Sequence, residues 1–161
     1  GLENGDENTF ILSLKKNVVH FFVMAQACLP HLKKNKGAIV NIGSKVSMTG
    51  QGGTSAYAAA CGGRNALTRE WAVELLPHSI RVNGIIVAES YTPLYEKWIN
   101  TFPNPMEKLK QIENKIPLEN RMTTPQEIAN TVAFLLSDKS SHTTGELIFI
   151  DGGYTLSLIH I

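Results

Sequence analysis

Between Phe10 and Lys34 the apolar residues recur at helical spacing: Leu14, Val18, Phe22, Leu29 and Leu32, with Val19 and Val23 widening the stripe. That pattern predicts an amphipathic helix, with Cys28 in its core face and Pro30 kinking or restarting it near the end. Lys33-Lys34-Asn35-Lys36-Gly37 gives it a basic last turn and a glycine stop, both favoured at a helix C-terminus. Ala38 to Ile42 is a short apolar run that suits a buried parallel strand, and the Gly-, Ser- and Thr-rich stretch from Gly43 to Ser55 reads as a loop. A second helix is predicted over about Ala56 to Leu76, with Leu67, Trp71 and Leu75 on one face and Pro77 ending it. Ile80 to Ile86 reads as the next strand and Val87 to Pro93 as an irregular loop. A helical, aromatic-bearing segment then covers Leu94 to Ile116, interrupted by Pro103 and Pro105. Thr124-Pro125-Gln126-Glu127 is a helix start: a Thr cap, proline in the first turn and Glu at the capping-box position. That helix should end near Leu136, and Leu147 to Ile150 is the last predicted strand.

This alternation of helix and strand predicts an α/β fold: a doubly wound parallel sheet of Rossmann type, with right-handed crossovers and helices on both faces. Ligands of such sheets bind at the carboxyl ends of the strands. Those ends are Ile42-Gly43-Ser44 and Ile86-Val87-Ala88, followed by Thr92. Composition narrows the classes of function. With 43% hydrophobic and 18% charged residues, the chain can build a core and is not of disordered type. Fifteen basic and fourteen acidic residues leave a formal +1 with neither sign gathered into a block, which gives no nucleic-acid footprint. Its apolar runs are too short for a membrane span. Two cysteines, Cys28 and Cys61, make a poor disulfide framework, so a soluble cytoplasmic protein is expected. The five histidines lack metal-ligand spacing, and no metal is assigned.

Ser44 lies just past one strand end, and Tyr57 opens the next helix thirteen residues later. A glycine-rich loop between them can bring both hydroxyls to one pocket. Taken singly, each residue is as well explained as a loop serine and a helix-surface tyrosine. In combination, Asn17, Asn41-Ile42-Gly43-Ser44, Ser55-Ala56-Tyr57-Ala58-Ala59, Ala66-Leu67-Thr68, Ile80-Arg81-Val82-Asn83, Thr92-Pro93, Thr144-Gly145 and Asp151-Gly152-Gly153 resemble, in order, the short-chain dehydrogenase/reductase family. The resemblance extends from Phe10 to Tyr154. It implies an oxidoreductase using NAD or NADP, with Tyr57 as catalytic acid/base and Ser44 bonding the same substrate oxygen. It also implies that Asn17 holds a proton-relay water through its backbone. Val87, Ala88 and Ser90 would embrace the nicotinamide end and Thr92 would contact its carboxamide. The choice between NAD and NADP is not encoded in these residues.

Two positions depart from the family pattern. One helical turn after Tyr57 the family places a lysine, which favours the tyrosine's phenolate form and binds the nicotinamide ribose; here Cys61 stands in its place. A unit charge about 4 Å away is worth on the order of 4 kcal/mol at an effective dielectric near 20, and a thiol supplies none of it. A severe loss of activity is therefore expected. The bland reading of Cys61 is a small buried thiol beside Ala60 and Gly62. The second departure is Val87-Ala88 where the family has Pro-Gly, with Ser90 in place of a branched aliphatic residue.

The glycine-rich nucleotide-binding turn of the family belongs to a first half that these residues do not contain. Residues 1–155 are thus expected to form the C-terminal portion of one domain, with a movable lid over about 90–116. Alone, that portion is expected to expose strand edges and aggregate. Residues 156–161 read as a strand edge, a packed tail or sequence foreign to the domain, the last preferred.

Substrate choice is placed in the lid, through Ser90, Tyr91, Leu94, Tyr95, Trp98 and Phe102. Arg69 to Leu75 and Thr92 to Trp98 resemble sugar dehydrogenases of the family, those acting on L-fucose in particular. The alternative is a 3-oxoacyl-thioester reductase, for which no basic docking patch stands out. A third reading is a non-catalytic binding or scaffold protein derived from the family. The resemblance further implies a homodimer or homotetramer built on the helices of Asn17 and Tyr57.

Overall fold

Three parallel strands in the order β1-β2-β3 form the sheet of the computed structural model, which describes residues 1–158. The strands are β1 (Ala38–Ser44), β2 (Arg81–Val87) and β3 (Leu147–Ile150). The helices are α1 (Glu7–Leu14), α2 (His20–Asn35), α3 (Val46–Thr49), α4 (Ser55–Glu74), α5 (Pro93–Ile99), α6 (Pro105–Glu113), α7 (Pro125–Leu136) and α8 (Tyr154–Leu158). The α/β alternation predicts most of these elements, with four differences. The first helix starts earlier, at Glu7, and a π-helical segment, Lys15–Val19, joins α1 to α2. Both β1 and β2 run on to Ser44 and Val87 because each pairs with the other to its last residue. The Gly43–Ser55 stretch contains the single turn α3. Residues 154–158 are helical, whereas 159–161 lie outside the described residues.

Alternation of side chains along β2 shows what covers each face. Val82 packs with Trp71, Leu75 and Ile80, joined by Phe21, Ala25, Leu29 and Leu32 of α2, so α2 and α4 share one face. Its neighbour Arg81 points to the other. There Arg81 donates to the carbonyls of Leu135 (2.7 Å) and Ser137 (3.1 Å) and to Ser140 Oγ (2.9 Å), holding the end of α7. Helices α4 and α7 thus cover opposite faces, although each leads to the next strand in the same direction. The two crossovers therefore differ in hand, contrary to the uniformly right-handed connections expected. The second connection detours through the lid and is long enough to pass round the sheet's end.

Small motifs fix the remaining joints. Asn83, fully buried, donates to the Thr143 carbonyl (2.8 Å) and accepts from the Glu146 amide (3.1 Å), which clamps the turn at Thr144-Gly145. Gly145 has φ +80 there, a conformation that side chains with a Cβ rarely adopt. The Asp151 carboxylate accepts from the amides of Gly153 (2.9 Å) and Thr155 (3.0 Å) and starts α8. Cys28 is exposed, not in the core: it lies beside the outer edge of β1, in a groove with Phe21, Met24 and Val40.

Helix α7 begins with the capping box expected of Thr124 and Glu127. Arg121 adds a charged bond to Glu127 (2.7 Å). The Arg121 bond, then those from Thr124, hold the Glu127 carboxyl down to about 2. A carboxyl held below its ordinary value of 4.5 stabilises the fold above that value, and the contribution is lost as pH falls. The Arg121→Met variant should therefore show a shallower fall in Tm than the native chain between pH 4.5 and 2. Thr124→Ala should cost about 1 kcal/mol in chemical denaturation at neutral pH.

Candidate active site

The parallel register sets Ser44 level with Val87, so the loops leaving both strands emerge together. Lys45, the next residue, donates its amide to the Val87 carbonyl (2.9 Å). Its ammonium forms a buried ion pair with Glu89 and lies 4.0 Å from the centre of the Tyr154 ring. Burial, the nearby Glu89 charge and a hydrogen bond to that carboxylate raise Tyr95 above its ordinary value, in that order. Tyr95 therefore remains a protonated donor to Glu89. One buried pair thus fastens the Ser44 loop, the Val87 loop, the lid and α8.

Ser44 is half-buried, and its Oγ accepts from the Val46 amide at 3.4 Å. Its carbonyl accepts from Ser47 Oγ (2.7 Å), which in turn accepts from Asn65 Nδ2 (2.8 Å). Tyr57 stands in the first turn of α4, half-buried, over a hollow of about 400 Å³ that it shares with Asp6, Thr9, Ser13 and Gly53. No hydrogen bond joins the Ser44 and Tyr57 hydroxyls. Asn17 lies within the π-helical segment, its Nδ2 donating to the Ser13 carbonyl at 2.9 Å. Such segments recur at functional positions. Ser13 thus links Asn17 to the hollow of Tyr57.

The lid residues gather elsewhere. Thr92, Tyr95 and Trp98 line a hollow of about 590 Å³ with Gln51, Glu89 and Phe102. Tyr95, Trp98 and Phe102 form a ladder of edge-on rings 5.0–5.1 Å apart, a geometry that aromatic quadrupoles favour. Tyr91 is exposed and flanks Tyr95 at 6.2 Å. A larger hollow, about 710 Å³, lies at the end of β3 around Arg121 and Asp151 and contains none of the predicted site residues.

Cys61 is fully buried. Arg64, one turn further along α4, donates to its Sγ (2.6 Å) and to the Ile42 carbonyl (3.0 Å). Its guanidinium also lies over the rings of Phe21 (5.2 Å) and Tyr57 (5.7 Å). Sequence reasoning missed Arg64, Asn65 and Glu89. The available signal was the run of polar residues at 64, 65 and 68 on what is otherwise the sheet-facing side of α4.

The residues of the Val87 loop fit the nicotinamide end of an NAD(P) cofactor at one point. Ser90 Oγ is buried with no hydrogen-bond partner, a group suited to a polar ligand atom. Thr92 Oγ1, by contrast, is engaged in capping α5 through the Tyr95 amide (3.2 Å). Val87 offers a carbonyl already bonded to Lys45, and Ala88 packs with Ile116, Met122 and Tyr154.

The Lys45–Glu89 pair supports a specific stability cycle. Removing one partner strands a buried charge, whereas removing both does not. Glu89→Gln alone should cost about 3 kcal/mol, and Lys45→Met/Glu89→Gln should cost less, both measured by urea unfolding.

Comparison with known proteins agrees with this architecture. The family described as Enoyl-(Acyl carrier protein) reductase matches residues 2–155. A 3-oxoacyl-[acyl-carrier-protein] reductase of Thermotoga maritima is 36% identical over 141 residues, 87% of this chain and 54% of that protein. The L-fucose dehydrogenase of Bos taurus is 32% identical over 143 residues, 89% and 52% of the respective chains. Among solved structures, Cj0485 dehydrogenase superposes with a TM-score of 0.93 at 49% identity, covering 95% of this chain and 59% of its own. The chain thus spans little more than half the length of the relatives it matches. With its parallel sheet, its Ser44 and Tyr57 at the expected strand end and helix start, and these matches along nearly its whole length, the chain belongs to the short-chain dehydrogenase/reductase family.

Proposed function

We propose that the chain carries the acid/base half of an NAD(P)-dependent oxidoreductase acting on an alcohol or carbonyl substrate. The observation that carries this reading is the placement of Ser44 at the carboxyl end of β1 and of Tyr57 in the first turn of α4, the helix that packs on that strand. When bound, the nicotinamide nucleotide supplies or takes up the hydride. Tyr57 exchanges the proton with the substrate oxygen, and Ser44 donates a hydrogen bond to the same atom. Asn17, bonded to Ser13, orders water behind Tyr57 in the hollow that Ser13 borders. Cys61 leaves Tyr57 without the lysine of the family pattern.

For the substrate, the comparisons favour a 3-oxoacyl thioester: both the family description and the Thermotoga relative concern acyl-carrier-protein substrates. A sugar such as L-fucose is the second reading. Its support is the ring ladder of Tyr95, Trp98 and Phe102 facing Glu89 and Gln51, a stacking wall opposite hydrogen-bonding groups, together with L-fucose dehydrogenases among the relatives. Self-association through the helices of Asn17 and Tyr57 belongs to the same proposal; Phe22, Val23 and Met24 of α2 and Val73 of α4 are exposed. No helix among the described residues is long and apolar enough to cross a membrane.

The test is a substrate panel on the full-length protein with NAD(H) and NADP(H). Reduction of a 3-oxoacyl thioester is expected, and L-fucose oxidation in its place moves the assignment to the sugar reading. Tyr57→Phe should abolish the turnover and Ser44→Ala should lower it by about 100-fold. Turnover that survives Tyr57→Phe would remove the acid/base assignment.

A further inference from the structure

Arg64 is an anomaly of charge. It is 9% exposed, no carboxylate among the described residues pairs with it, and its Nε is buried without a hydrogen-bond partner. Burying a cation without a counter-charge is costly, so a guanidinium in this position calls for a reason beyond packing. Its surroundings are those of the candidate active site. Nη1 is bonded to the carbonyl of Ile42, two residues before Ser44. Nη2 rests on the sulfur of Cys61. The guanidinium lies 5.7 Å from the centre of the Tyr57 ring and 5.2 Å from that of Phe21.

We propose that Arg64 is a positioning residue of this site, supplying from position 64 the fixed positive charge beside Tyr57 that Cys61 does not supply. This rests on the reading of Tyr57 as acid/base. Residues three apart on a helix share a face, so a side chain rooted at 64 reaches back over the thiol at 61. The guanidinium and the thiol at 61 are in close contact. Bonding to Ile42 ties the charge to the strand that carries Ser44, and a cation–π contact keeps it near the Tyr57 ring.

Two consequences separate this role from a structural one. An uncompensated buried charge destabilises the fold while serving the site, so its removal should move stability and turnover in opposite directions. A lysine at 61 would also meet the guanidinium in the space now held by the sulfur, and the two cations would repel.

The experiment is a variant set on the full-length protein, read by nicotinamide absorbance on its best substrate and by thermal unfolding. Arg64→Met should keep or raise Tm while kcat falls about ten-fold or more and KM stays within about two-fold. Arg64→Lys should recover most of kcat. Cys61→Lys with Arg64 retained should bring no gain and a lower Tm, whereas Cys61→Lys/Arg64→Met should turn over. An Arg64→Met variant that loses Tm with kcat intact overturns the proposal, as does a gain of about ten-fold from Cys61→Lys alone. A native chain without turnover, beside an active Cys61→Lys/Arg64→Met, discards Arg64 and keeps the acid/base reading. Turnover unchanged by Tyr57→Phe discards that reading instead, and silence of every variant discards both.

Discussion

Everything at the candidate site depends on the register of one strand pair. Because β1 and β2 pair in parallel from Ala38↔Arg81 to Ser44↔Val87, their carboxyl ends are flush. A slip of one residue would turn Ser44 to the other face of the sheet. Two features guard against it. Asn41, buried on β1, donates to Thr68 on α4 (2.9 Å), and Thr68 donates back to the Arg64 carbonyl (2.8 Å). Beyond the strand ends, the backbone bond from Lys45 to Val87 and the ion pair with Glu89 lock the same alignment. The hydrophobic core determines that the layers meet, and these polar contacts determine at which residue.

Legibility in the sequence follows the range of the interactions. Local signals read well for the Thr124–Glu127 box and the apolar strands, which depend on neighbours within a turn, whereas the left-handed residue that ends α2 is Lys36 (φ 48) and not the expected Gly37. Those strands were still read short, because their ends are set by pairing with a distant segment. Cys28 was misplaced because periodicity defines an apolar stripe without saying which part of it meets the sheet. The opposite faces of α4 and α7 are a property of a long connection, on which helix and strand periods carry no information. Ser44, Tyr57 and Asn17 were legible as a family pattern, while the partners that hold them, Ser47, Asn65 and Glu89, became visible only when distant elements were assembled.

Charge at the site is distributed unlike its plain reading in sequence. Lys45 adjoins Ser44 and would be the obvious cation for it, yet its charge is spent on Glu89 under the Tyr154 ring. Arg64, two turns into α4 from Tyr57, appears in sequence as one more polar residue, yet it is buried and has no acidic partner among the described residues. At equal burial a paired charge acts chiefly as a fastener. An unpaired one keeps its field for whatever lies beside it, and here that neighbour is the ring of Tyr57.

The glycine loop between Ser44 and Tyr57 connects the two hollows. Gln51 borders the lid hollow, whereas Gly53 and Thr54 border that of Tyr57. Gly50, Gly52 and Gly53 all have positive φ, and a Cβ placed on any of them would touch nothing within 4 Å. Glycine is therefore required there by backbone conformation and not by crowding. A wall built this way is held by its turns, with little packing behind it, and such segments move at low energetic cost. On the proposed reading the substrate oxygen sits at one hollow and the substrate body at the other, so this loosely packed loop would join recognition to proton transfer.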